Sequence, residues 1–211
     1  MNDQPASSQF SRRKFIKTTA VSSAVLGFPA ITRSKSPNGK LNVGLIGVGG
    51  RGRSHVNACR YEDIVALCDV NANSLKGALK IAPEARTYKD LRDFFGKLED
   101  IDAVVVATTE HTHAFATLPA LQAKKHVYCE KPMACTVHQC WDMINACQRN
   151  NVKLMVGHKR RLRPAWNRMI ELTREDLLGE PLAITACSYV DLHNDPYAES
   201  WWANPELGGG L

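Results

Sequence analysis

The sequence predicts an α/β fold built on a parallel sheet with helices on both faces. Three observations carry this reading. Short apolar runs alternate with stretches of helical spacing, the connections between them are short, and a glycine-rich turn directly follows the first run. Residues 41–47 form an apolar run ending in Gly47, the pattern of a strand buried on both faces. A helix starts at 50–60, a second apolar strand is expected at 64–69, and a second helix at 73–81. Residues 88–98 have helical spacing through Leu91, Phe94, Phe95 and Leu98. The run 101–108 is the strongest strand signal, rich in β-branched residues. A helix over 112–123, a short strand over 126–129, a helix over 137–150 and a strand over 153–156 complete the alternation. Crossovers between parallel strands are expected to be right-handed.

Chemistry concentrates first in the turn after the leading strand. Gly47-Val48-Gly49-Gly50-Arg51-Gly52 is a G-x-G-x-x-G between a buried strand and a helix start. Alone the pattern is weak, and its context raises it. The first glycine permits the tight turn, the second lets a pyrophosphate approach the backbone, and the third lets helix and strand pack closely. The helix N-terminus then offers N–H groups and a positive dipole end to phosphates. Asp69 closes the second strand 22 residues past Gly47, where an acid accepts from adenosine ribose hydroxyls. Its charge would repel a 2′-phosphate and so favours NAD over NADP. The alternative for Asp69 is a cap on the next helix. Gly47, Gly49, Gly50, Arg51, Gly52 and Asp69 are therefore the candidate cofactor-binding residues of an NAD(P)-binding Rossmann domain.

From about Arg160 the character changes. A helix over 164–175, a turn at Leu178-Gly179-Glu180-Pro181 and a longer, more polar strand over 182–192 are expected. One helix and one strand cannot close a core. The expected organisation is a leader and linker at 1–40, the Rossmann domain at 41–158, and the incomplete start of an α+β second domain at 159–211.

Charge and cysteines narrow the function classes. The net charge of +6 lies in residues 1–40, which hold seven Lys/Arg and one Asp; residues 41–211 balance 20 Lys/Arg against 20 Asp/Glu. The folded part shows no excess positive charge for nucleic acid. Ser11-Arg12-Arg13-Lys14-Phe15-Ile16-Lys17 matches the twin-arginine export pattern S-R-R-x-F-L-K, with Ile in the Leu position. The following apolar run is short and rich in Ser, Thr and Gly. Export of an already folded protein by the twin-arginine machinery is expected, to the periplasm or as a membrane-anchored form; a disordered basic tail is the alternative. Seven cysteines with no C-x-x-C pair indicate neither a zinc ribbon nor a redox motif, and no metal site is expected. Cys68 and Cys129, in strand-like runs, read as small core residues. Cys140 and Cys147, seven apart on a predicted helix, read as sharing a buried face.

A second constellation is Ala107-Thr108-Thr109-Glu110-His111-Thr112-His113, followed by Lys125-His126-Val127-Tyr128-Cys129-Glu130-Lys131-Pro132. Here the chain resembles the glucose–fructose oxidoreductase / inositol dehydrogenase (Gfo/Idh/MocA) family. There, a strand ending A-T-P precedes a loop with a His, a helix, and G-K-H-V-x-x-E-K-P. The likeness covers 41–211, and E-K-P is specific when it follows such a Rossmann half. Thr109 stands where the family has Pro, with a consequence for loop stiffness, and Lys124 where it has Gly. The resemblance implies a homo-oligomer in part of the family and an NAD(P)-dependent oxidoreductase acting on a sugar or cyclitol hydroxyl. On this reading Lys131 is catalytic, beside the nicotinamide and the substrate hydroxyl, and Pro132 turns it into the cleft through a peptide that the family often holds cis. Glu130 positions the cofactor or the loop, and Thr108 ends the strand at the cofactor. His113 either lines the nicotinamide pocket or is a helix-face His bonded to backbone. His111 is expected to be exposed. Lys159, Arg160, Arg161 and Arg163 read mostly as a solvated face, and two uses are open for Trp201 and Trp202, sugar stacking or core filling.

The family also carries G-G-G-x-L-x-D-x-G-x-H, whose Asp and His act as proton relay. Gly208-Gly209-Gly210-Leu211 matches its beginning, so the general base is expected beyond Leu211 and the chain is expected to be catalytically incomplete. The main alternative is an exported glycosidase that uses bound NAD in a redox-neutral elimination. A third reading is a non-catalytic nucleotide- or sugar-binding protein.

Overall fold

A computed structural model describes residues 39–175 together with 179, 180, 182, 183, 185 and 187. Six strands form one parallel sheet: β1 (Asn42–Ile46), β2 (Asp63–Cys68), β3 (Arg86–Tyr88), β4 (Ala103–Val106), β5 (His126–Cys129) and β6 (Leu154–Val156). Their order is β3-β2-β1-β4-β5-β6, and every adjacent pair runs parallel. The helices are α1 (Gly50–Ala58), α2 (Ala72–Leu79), α3 (Leu91–Phe95), α4 (His113–Gln122), α5 (Val137–Arg149) and α6 (Pro164–Arg174). The order reverses between β1 and β4, and in doubly wound sheets that reversal opens a crevice at the strands' carboxyl ends.

Strand alternation divides the core between the two faces. Val43, Leu45, Leu67 and Val105 point to one face and pack on Val56 of α1 and on Leu75 and Ala78 of α2. Ile46, Cys68, Val104 and Val106 point to the other and meet Phe94, Leu121 and Met143 of α3, α4 and α5. Such two-sided burial is why these strands read as continuous apolar runs. Cys68 and Cys129 are buried in this core, and burial pushes both thiols up to about 12. Cys140 and Cys147 are only half-buried; Met143 and Ala146 supply the buried face of α5. Gly44 is set by packing: a Cβ there would lie 2.7 Å from the Phe94 ring and 2.9 Å from Ile101.

The expected helix over 88–98 divides in the structure. Arg86–Tyr88 is an edge strand, and the helix is shortened to Leu91–Phe95, with the Asp90 side chain accepting from the Arg92 N–H at 2.8 Å. Three half-exposed or exposed residues on an edge carry no apolar alternation, so helical spacing was the stronger signal there. The expected turn at 178–181 and strand over 182–192, with Trp201, Trp202 and the glycine run, fall wholly or largely outside the described residues, as does the leader. Among the described residues no helix is long and apolar enough to cross a membrane, and no cluster of His, Cys, Asp and Glu is arranged to hold a metal.

Candidate functional site

A cleft of about 850 Å³ opens at the carboxyl ends of the strands, within the ~300–1,000 Å³ of ordinary ligand and cofactor sites. Gly47, Gly49, Gly50, Arg51, Asp69, Thr108, His113, Glu130 and Lys131 line it, while Gly52 and Pro132 do not.

Backbone geometry explains the glycines. Gly47 has φ +77°, and a Cβ on it would stand 2.6 Å from the Ala107 carbonyl. Gly52 is buried, and a Cβ there would fall 1.8 Å from the Gly47 carbonyl oxygen, so the first turn of α1 lies flush on the end of β1. Gly49 starts α1 without a side-chain cap. The first-turn N–H groups, which have no intrahelical acceptor, face the cleft end of the sheet. This cradle, which side chains would fill, fits a pyrophosphate.

Asp69 has a task that spacing did not reveal. Its Oδ2 accepts from the N–H groups of Val48 at 2.8 Å and Gly49 at 3.1 Å, and its Oδ1 from Asn71 N–H at 2.8 Å. The carboxylate pins the turn to the end of β2. It does not cap the next helix; Asn71 does, accepting from Asn73 N–H.

The opposite wall is built from β4, β5 and the loops that follow them. The Thr112 hydroxyl lies 2.8 Å from both the Thr108 hydroxyl and the Thr109 carbonyl, and its single hydrogen is shared between these acceptors. Thr109 has φ −70°, close to the angle proline would impose, so replacing Pro leaves the backbone path intact. The buried His113 fits the second of the two readings left open for it, a ring bonded to backbone. It lines the cleft, and its ring is bonded to backbone, with Nδ1 2.7 Å from the Pro132 carbonyl and Nε2 3.1 Å from that of Thr108. His111 is half-buried, because the 3-10 turn over Glu110–Thr112 folds it against the loop rather than into solvent. Lys159, Arg160, Arg161 and Arg163 are exposed, and Lys159 reaches the cleft.

Lys131 follows β5 and begins a cis peptide to Pro132. Its ammonium is half-exposed to the cleft and lies 4.0 Å from Oε1 of Glu110, a largely buried carboxylate that sequence reasoning did not single out. Glu130 is turned toward protein donors: Arg51 Nε at 2.9 Å, His55 Nε2 at 2.7 Å and the Lys131 N–H at 3.0 Å. Burial alone pushes its carboxyl up. The hydrogen bonds from Arg51, Lys131 and His55 outweigh that and hold it below its ordinary 4.5. Of the two tasks open for Glu130, positioning the loop is the one these contacts perform. His55 was missed, although it stands four residues from Arg51 on one helix face.

A family model described as an oxidoreductase family with an NAD-binding Rossmann fold matches residues 41–158. Inositol 2-dehydrogenase of Salmonella typhimurium is 31% identical over 155 residues, covering 71% of this chain and 46% of that protein. Among solved structures, an NAD-binding oxidoreductase from Klebsiella pneumoniae is 30% identical with a TM-score of 0.62, covering 81% of this chain and 48% of that one. The WlbA dehydrogenase of Bordetella pertussis, in complex with NADH and UDP-GlcNAcA, is 27% identical with a TM-score of 0.63, covering 69% and 43%. The chain thus spans about half the length of the relatives it matches. With the family model spanning the whole glycine-turn-to-Lys131 unit, the chain belongs to the Gfo/Idh/MocA oxidoreductase family by its NAD-binding Rossmann fold.

Proposed function

We propose that the protein is an NAD-dependent dehydrogenase acting on a hydroxyl-bearing carbon of a cyclitol or sugar. The supporting observation is that one cleft holds an anion-binding glycine cradle and, on its far wall, a lysine whose backbone is fixed on both sides. Nicotinamide, when bound, accepts or returns the hydride. The rest falls to the chain. The first turn of α1 holds the pyrophosphate, and Asp69 keeps that turn in shape while facing the adenosine side. Its negative charge disfavours a 2′-phosphate, which supports NAD over NADP. Lys131 places a positive charge where alkoxide character develops on the substrate hydroxyl. Glu110 restrains the Lys131 ammonium from the loop after β4. The inositol and nucleotide-sugar ligands of the relatives support a polyhydroxylated ring as substrate.

The test is a titration with NADH and NADPH followed by fluorescence, then a panel of cyclitols and sugars with NAD⁺ followed by NADH absorbance. NADH binding is expected of this chain, and net reduction of NAD⁺ by protein that also carries the proton-relay Asp and His. Absence of affinity for either dinucleotide would refute the assignment, and glycoside cleavage without net NADH would replace it with a redox-neutral reaction. We also read Ser11 to Lys17 as a twin-arginine signal. Fusing residues 1–40 to a folded reporter should export it, and Arg12→Lys with Arg13→Lys should abolish export.

A further inference from the structure

Glu130 joins parts of the chain that lie far apart in sequence. Its Oε1 accepts from Arg51 and His55 of α1, and its Oε2 from the backbone N–H of Lys131. Tyr128, the residue before Cys129 at the end of β5, packs beside them. A carboxylate has about four lone-pair directions, and these three donors take up three of them. The cluster is compact. The His55 ring packs 5.1 Å from the Tyr128 ring, and a Cβ on Gly157 would lie 2.7 Å from the Tyr128 hydroxyl and 3.0 Å from Glu130 Oε2.

The two helix donors are unequal. Arg51 is half-exposed on a long side chain, whereas His55 is 14% exposed and has two side-chain torsions. The imidazole is therefore the stiff anchor. An ionised carboxylate only accepts, so the His55 ring carries its hydrogen on Nε2 toward Glu130.

We propose that His55 is a positioning residue for Lys131: through Glu130 it ties the Lys131 backbone to the helix that begins at the glycine cradle. This rests on the role given to Lys131 above. His55 touches neither cofactor nor substrate on this account. The other side of the same loop is held by His113 at the Pro132 carbonyl, so the peptide carrying Lys131 is gripped before and after.

The test compares His55→Leu, which removes the donor, with His55→Gln, whose side-chain amide restores one at similar reach. Hydrogen exchange read by mass spectrometry follows the peptide containing Lys131, with a β4 peptide as internal reference. In His55→Leu, exchange at Lys131 should accelerate about tenfold or more with β4 unchanged. NADH affinity should stay within about threefold, because the cradle is intact. In protein that carries the relay Asp and His, on the substrate found by the NADH assay, kcat should fall about tenfold with little change in KM, since Lys131 acts on the reacting group. His55→Gln should restore both exchange and kcat. Unchanged exchange at Lys131, equal acceleration in β4, failure of Gln to restore, or NADH affinity falling in step with kcat would each overturn the proposal. A wild-type protein that binds no NADH would refute the functional reading, while hydrogen exchange would still decide the tie.

Discussion

Gly52→Ala is the sharpest probe of the cradle. The added methyl would sit 1.8 Å from the Gly47 carbonyl oxygen, whereas real Cβ atoms essentially never come within 3.0 Å of a neighbour. The obstacle is backbone, not the far end of a flexible side chain, so α1 must retreat from β1 by more than 1 Å. Overpacking of that kind costs about 1–3 kcal/mol of stability. The larger effect falls on the ligand, because the N–H groups that face the phosphates move with the helix. Losing one charge-assisted hydrogen bond at about 1.5–3 kcal/mol weakens NADH binding by roughly ten- to two-hundred-fold. Fluorescence titration measures the affinity and urea unfolding the stability. Gly96→Ala is the control: its Cβ would meet the Arg92 carbonyl at an ordinary 3.5 Å, and NADH affinity should not change. Wild-type NADH affinity in Gly52→Ala would refute the cradle.

Two further perturbations follow from local geometry. Lys124 follows α4 with φ +58°, a left-handed conformation that favours glycine, so Lys124→Gly should raise stability by about 0.5–1 kcal/mol in urea unfolding. Glu130→Gln should destabilise at neutral pH by about 1.5–3 kcal/mol, and most of that gap should close in acid. The sign follows from a carboxyl held below 4.5 in the fold: its contribution is full above the unfolded value and lost as pH falls through the folded one. Urea unfolding of both proteins from pH 7 to pH 3 measures it; a gap that stays constant would refute the ion-pair account.

Where side chains alternate or run apolar, the sequence was readable. The strands at β1, β2, β4, β5 and β6 and the glycine turn all stand within a residue or two of their expected positions. What escaped is what lies between distant segments. Arg86–Tyr88 forms a strand because β2 offers it a ladder, and nothing in three polar or half-exposed side chains announces this. Glu130 was placed in the site by its motif, yet its partners lie 75 and 79 residues earlier, beyond the reach of any spacing rule. The two departures from the family pattern looked alike in sequence and differ in space. Thr109 keeps the backbone angle of the residue it replaces, whereas Lys124 occupies a position with positive φ that glycine adopts more readily.

Gly157 gives a rule for splicing. The chain leaves β6 by passing so close to Tyr128 and Glu130 that hydrogen is the largest substituent the gap admits without displacement. A chimaera that transplants a different substrate half onto this nucleotide half should therefore make its junction after residue 157. A seam one residue earlier would import a foreign side chain into the lysine's anchorage, and a loss of turnover there would be misread as a substrate mismatch.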